Sequence, residues 1–176
     1  MRKIADSEAG FTLIELLVVV TVIGILAALA VPTLLRARIT ANETAAIGSI
    51  RAINTAESAY AASAAAGSYA VQLSVLVLAC PGSTVGFISP DLASDPSQKS
   101  GYIIELDPGT AAAGTNDCNG TPTRVGYYLT AIPNTIGLTG HRGFATSSRG
   151  VIFFDATGVA PTEAAMAPGG GGKAIQ

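Results

Sequence analysis

The 21 positions from Phe11 to Val31 carry a single charge, Glu15. About 20 apolar residues suffice to cross the ~30 Å hydrocarbon layer as a helix, so this run predicts a membrane-spanning helix. Beyond Pro32 the pattern changes. Leu35, Ile39, Ala46, Ile50, Ile53 and Tyr60 fall within about 80° of one another at 100° per residue. Thr40, Thr44, Arg51, Thr55 and Ser58 fall on the other side, with Asn42 and Glu57 as polar positions near the apolar face. The spacing predicts one helix from Phe11 to about Ala66, roughly 84 Å long, apolar all round in its first half and amphipathic in its second.

Gly67-Ser68 ends that helix, and Ala70 to Ala79 is a further apolar stretch, too short to span a bilayer, closed by Cys80-Pro81-Gly82. It reads as a packed segment of a globular head. Between Cys80 and Cys118 the chain is rich in Gly, Pro, Ser and Asp, with one strand predicted at Tyr102 to Leu106. Three more strands are predicted at Val125 to Ile132, around Phe144-Ala145, and at Val151 to Phe154, the last two joined by Ser147-Ser148-Arg149-Gly150. The expected fold is α+β. The second half of a long N-terminal helix packs on a small, mainly four-stranded antiparallel sheet, with the head spanning 67–166. The Gly-rich segment 167–176 is expected to be a flexible tail.

Composition narrows the function classes. The chain is 49% hydrophobic but only 12% charged, and the apolar excess is concentrated in the N-terminal run, so one span is all it supports. A net charge of -2 gives no basic footprint for a nucleic-acid backbone, which argues against constitutive nucleic-acid binding. Arg2 and Lys3 precede the span and place the N-terminus in the cytoplasm by the positive-inside bias, although Asp6 and Glu8 cancel their charge. The rest of the chain then faces an oxidising compartment, where Cys80 and Cys118 are expected to pair; closing a loop of about 39 residues is worth about 3.5 to 4 kcal/mol. A cleavable secretory signal ending at Ala28-Leu29-Ala30 fits poorly, because the run is too long for an h-region and keeps a carboxylate near its start.

Gly10-Phe11-Thr12-Leu13-Ile14-Glu15-Leu16-Leu17, followed by an apolar helix with Pro32 near its end, resembles the class III signal of type IV pilins and type II secretion pseudopilins. The resemblance covers roughly the first quarter of the chain. It implies a leader at 1–10, cut between Gly10 and Phe11 by a prepilin peptidase with N-methylation of Phe11, and a transmembrane and filament-core helix at 11–32 continued by an amphipathic half at 33–66. Glu15 then matches the family's near-invariant glutamate, and Gly24 and Pro32 its helix-breaking positions. The implied function is a structural subunit of a type IV pilus for adhesion, twitching motility or DNA uptake. The expected partners are copies of itself, the peptidase, the inner-membrane assembly machinery and, before assembly, membrane lipid. A pseudopilin of a type II secretion system and a membrane-anchored periplasmic binding module are the alternatives.

Other candidates carry less. His141 is the single histidine and has no Ser or Cys nucleophile at a motif spacing, so the chain reads as a non-enzyme without a cofactor. Asp91, Asp95, Asp107, Asn116, Asp117 and Asn119 lack the spacing of an EF-hand loop, and no metal site is assigned to them. Asn42-Glu43-Thr44 and Asn119-Gly120-Thr121 match the glycosylation pattern weakly. Arg36 and Arg38, just past Pro32, read as a headgroup belt or as partners for acids on neighbouring subunits, the belt being the safer reading.

Overall fold

The structure, a computed structural model, describes residues 10–175. The leader positions Arg2, Lys3, Asp6 and Glu8 lie outside the described residues. The chain divides into two compact units between Ala37 and Arg38, and helix α1 (Leu13–Ser63) runs through the division.

In the first unit, every large apolar side chain from Phe11 to Leu34 is between 50% and 92% exposed. Among the described residues, α1 is the one helix long and apolar enough to cross a membrane. Its hydroxyls are folded back onto the helix: Thr21 donates to the Val18 carbonyl at 2.8 Å and Thr33 to the Ala30 carbonyl at 2.7 Å. That back-bonding suits a helix surrounded by hydrocarbon, where a free hydroxyl has no water to bond. Pro32 lies inside the helix. Its ring removes one backbone donor there, yet the helix of the single chain continues past it.

The second unit begins with the amphipathic part of α1. Ile39, Ala46, Ile50, Ile53, Ala56 and Tyr60 are buried, which is the stripe read from the sequence with Ala56 added and Leu35 outside this unit. The strands that follow are β1 (Ser97–Lys99), β2 (Tyr102–Pro108), β3 (Ala112–Asn116), β4 (Pro122–Arg124), β5 (Tyr127–Pro133), β6 (Gly143–Ser147), β7 (Ile152–Asp155) and β8 (Lys173–Ala174). β3 and β4 form a separate ribbon, and the rest a six-stranded antiparallel sheet in the order β1-β2-β5-β6-β7-β8. The buried stripe of α1 packs with one face of that sheet. Strand alternation assigns the faces: Tyr102, Ile104 and Leu106 on β2 are buried beside Pro133, Ala131 and Leu129 on β5. Phe144 and Thr146 continue that face on β6. On the opposite face, Ala145 is also buried, and the chain after β7 returns close enough for Tyr128 to donate to the Pro161 carbonyl at 2.6 Å. Gly143 fits there because a Cβ would run into the Val159 carbonyl.

The α+β class and the antiparallel meander are as the pattern predicts, but the sheet has six strands rather than four. Ser97-Gln98-Lys99 of β1 is a polar edge with no apolar alternation to announce it, held by backbone pairing to β2. Within the described residues the expected tail is tied down near its end: Lys173 and Ala174 pair with Phe154 and Phe153, and the Ile175 amide donates to Ile152. The glycines before it suggest flexibility, whereas the exposed edge of β7 supplies unpaired backbone groups for the chain to meet. The β3–β4 ribbon occupies part of the expected loop. Helix α1 also ends earlier than Ala66, at Ser63, followed by Ala66 and Gly67 at positive φ. The Ala65 amide bonds back to the Tyr60 carbonyl at 3.1 Å and the Gly67 amide to the Ala61 carbonyl at 2.7 Å, which satisfies carbonyls the helix end would leave free. The apolar stretch at 70–79 forms a short helix, α2 (Leu73–Val77), with Leu73, Val75 and Leu76 buried.

Cys80 and Cys118 are joined across 38 positions of sequence, with their Cα atoms 5.5 Å apart. Next to this link, Asp117 accepts from the amides of Asn119 and Thr121 and from the Tyr60 hydroxyl at 2.9 Å, which fastens the β3–β4 turn to α1. Because the link removes loop entropy from the unfolded chain, a Cys80→Ser, Cys118→Ser double variant should lower unfolding free energy by about 3.5 kcal/mol. Denaturant titration of detergent-solubilised protein checks this; an unchanged midpoint would show the loop to be held by Asp117 alone.

Candidate processing and assembly site

Gly10 and Phe11 precede the first helical residue and are exposed, Phe11 at 92%. A peptidase can reach the bond between them without unwinding a helix. Thr12 is the residue before α1, and its side chain and that of Glu15 cap the helix reciprocally. The Glu15 amide donates to Thr12 Oγ1 at 3.3 Å, while Glu15 Oε2 accepts from the Thr12 amide at 2.9 Å and from Thr12 Oγ1 at 2.7 Å. This is a capping box, and Thr-x-x-Glu before an apolar run is its legible signature. Read from the sequence, Glu15 is a charge needing a partner; that reading misses that Thr12 supplies one within the chain. Gly24 is exposed, with no atom within 4 Å of where a Cβ would be, so nothing in the single chain requires a glycine there.

Two of the buried acids in the head, Glu43 and Glu57, are held in opposite ways. Glu43 is 6% exposed. Its Oε1 accepts from the His141 and Arg142 amides at 2.9 and 3.1 Å, and its Oε2 from Arg142 Nε at 2.8 Å, with Arg142 Nη2 2.7 Å away. Burial alone would raise its pKa, but those donors together outweigh it and hold the carboxyl below its ordinary value. Sequence reasoning does not single out Glu43, because its partners stand 98 and 99 positions away. His141 thus contributes its backbone amide to a structural contact. Arg142 completes the arrangement by stacking over the rings of Phe144 and Phe154, at 5.5 and 5.4 Å.

Glu57 is fully buried. Its Oε2 accepts from the Ala70 amide at 3.0 Å, whereas Oε1 has no hydrogen-bond partner. Burial, only partly offset by that amide, pushes its pKa up to about 8.

The loop acids do not converge. Asp91 pairs with Lys99, and Asp95 accepts from the Leu73 and Leu106 amides. Among the described residues no three His, Cys, Asp or Glu side chains come together as a metal would need. Asn42 donates its side-chain amide to the Thr139 carbonyl at 2.9 Å, and Asn119 lies exposed on the Asp117 turn.

Against this geometry, the family model described as the prokaryotic N-terminal methylation motif matches residues 6–31. The chain carries the class III prepilin signal that structural subunits of the pilin type, type IV pilins and pseudopilins alike, present to prepilin peptidase. With its apolar helix, that signal fits membrane anchoring before assembly. No curated protein and no solved structure matches the chain.

The folded state binds the Glu57 proton more tightly than the unfolded state, where a glutamate titrates near about 4.3. Its contribution to stability is therefore complete below that value and falls as pH rises towards the folded pKa of about 8. Glu43, shifted the other way, loses its contribution only as pH falls into the acid range. Denaturant unfolding of the protein at about pH 5 and about pH 8 should show lower stability at the higher pH, and Glu57→Gln should abolish most of that difference. An equal slope in the variant would assign it to other groups.

Proposed function

We propose that this chain is a structural subunit of a type IV pilus, serving adhesion, twitching motility or DNA uptake. Prepilin peptidase cuts it between Gly10 and Phe11, and Phe11 is N-methylated. Helix residues 11–32 hold it in the inner membrane with the N-terminus cytoplasmic. The assembly machinery then draws it into a filament of its own copies on the cell surface. The observation that carries this reading is the methylation signal on a helix whose large apolar side chains from Phe11 to Leu34 are all at least half exposed. Such a surface needs lipid first and neighbouring helices afterwards. The disulfide between Cys80 and Cys118 favours the pilus over the pseudopilin, which the signal alone fits equally. Gly24, which weakens a helix by about 1 kcal/mol against Ala, and Pro32, which lacks a donor, let the stretch between them give up helical order on assembly.

The first test is the mature N-terminus. Mass spectrometry of protein recovered from cells should find N-methyl-Phe11 at its start. A chain beginning at Val31 would instead establish a secretory signal and leave no filament core.

Glu15 carries the assembly step. In an apolar core an unpaired carboxylate costs several kcal/mol, and the amine freed on Phe11 by cleavage, on the same or a neighbouring subunit, neutralises it only when the axial stagger is right. Gln can serve in the cap but has no charge, so Glu15→Gln separates capping from charge, while Glu15→Val removes both. Both variants should insert and be processed yet accumulate in the membrane without filaments. Normal pili from Glu15→Gln would reduce Glu15 to a capping residue.

A further inference from the structure

The sheet ends at β8, which is delivered there by a turn whose glycines each meet a steric demand. A short helix, α3 (Glu163–Met166), follows β7, with Thr162 capping it by accepting from the Ala165 amide at 3.3 Å and with Met166 buried. From Ala167 the chain doubles back. The Gly170 amide donates to the Ala167 carbonyl at 2.8 Å and the Gly172 amide to the Ala165 carbonyl at 2.9 Å. Gly169 and Gly171 have φ of +83° and +78°, where a Cβ is disfavoured. Gly170 and Gly172 lie against α3. A Cβ on Gly170 would strike the Ala164 carbonyl, and one on Gly172 would stand 2.6 Å from the Ala165 oxygen and 3.0 Å from the Phe153 ring. The run Gly169–Gly172 is thus a shaped turn rather than a linker. It brings Lys173 and Ala174 to β7 and leaves Ile175 half-buried against the core.

What this turn covers is a segment suited to pairing with another chain. Val151-Ile152-Phe153-Phe154 is uncharged, free of proline and glycine, and made of residues that favour strands. Because β6 lies on the other side of β7, removing β8 would make β7 the edge of the sheet. A bare edge of that composition presents unpaired amides and carbonyls to any similar strand. With β8 in place the outermost strand is instead two residues long, with Lys173 exposed. Short edges that carry lysine are poor templates for further pairing.

We propose that the segment Ala167–Ile175 is a strand-edge guard. By occupying the edge of β7 it keeps that edge from pairing, antiparallel, with the β7 edge of a second copy of the chain. The guard is a property of the folded head and does not depend on which filament the chain serves.

The test uses the detergent-solubilised chain with Val151, 44% exposed just before β7, replaced in every sample by the photo-crosslinking residue p-benzoylphenylalanine. Two altered forms are compared with the otherwise unaltered protein. One ends after Gly172 and so lacks β8; the other carries Gly170→Ala and Gly172→Ala, which keeps β8 but denies it its turn. Association through α1 is common to all three and sets the baseline. Both altered forms should give several-fold more crosslinked dimer, with the crosslinks mapping to residues 151–155 of the second copy. No increase in either form overturns the proposal, because the bare edge then needs no guard. Crosslinks scattered over the second copy also overturn it, since they mark an unfolded head rather than a paired edge. An increase in the shortened form alone overturns the role given to Gly170 and Gly172.

Discussion

The seam between α1 and the sheet is what the rest of the head depends on. Ile50, Ile53 and Tyr60 on one side, and Tyr102, Ile104, Leu129 and Phe144 on the other, are almost fully excluded from solvent. A fully buried side chain of this size contributes about 1.5 to 3 kcal/mol, so a handful of them outweighs any polar contact in the molecule. The helix is also the part of the chain that leaves for another environment at its N-terminal end. One element must therefore present an all-apolar surface over Phe11–Leu34 and a one-sided surface from Ile39 onwards, and the change of period at Pro32 records that double requirement.

At the two ends of the seam, polar side chains tie loops to the helix. Glu43 does it with a charge, surrounded by four donor contacts from the His141–Arg142 segment. Glu57 does it with a single amide from Ala70 and one oxygen left unpaired, a place where a proton is less costly than a charge. Tyr60 sits between these solutions, its hydroxyl bonded to Asp117 and its pKa raised by burial and by the acids beside it. The same helix thus locks a loop at each end of the head.

What can be read from the sequence is whatever depends on local pattern. The spanning run, the stripe from Ile39 to Tyr60 and the strands at Tyr102, Tyr127, Phe144 and Ile152 all follow from periodicity within a few residues. The strands that escape are those whose formation depends on a neighbour: β1 is polar, β3 is Gly-containing and exposed, and β8 follows a run of glycines. Glu43 escapes for a similar reason, since its partners are distant in sequence. The Thr12–Glu15 cap is different. Its signal is local, but the weight of a lone carboxylate in an apolar run draws attention to what it lacks rather than to the threonine three residues before it.

That cap changes how filament growth should be regarded in energetic terms. The carboxylate that assembly would recruit is not idle in the single chain; it already holds the Thr12 amide and hydroxyl. In the filament proposed above, turning that carboxylate towards an amine would exchange partners within the first turn of the helix. Under that proposal the well into which each subunit falls would be shallower than a new ion pair alone would make it. A polymer built of such exchanges would be one whose end subunit returns to the membrane with its own helix terminus closing behind it.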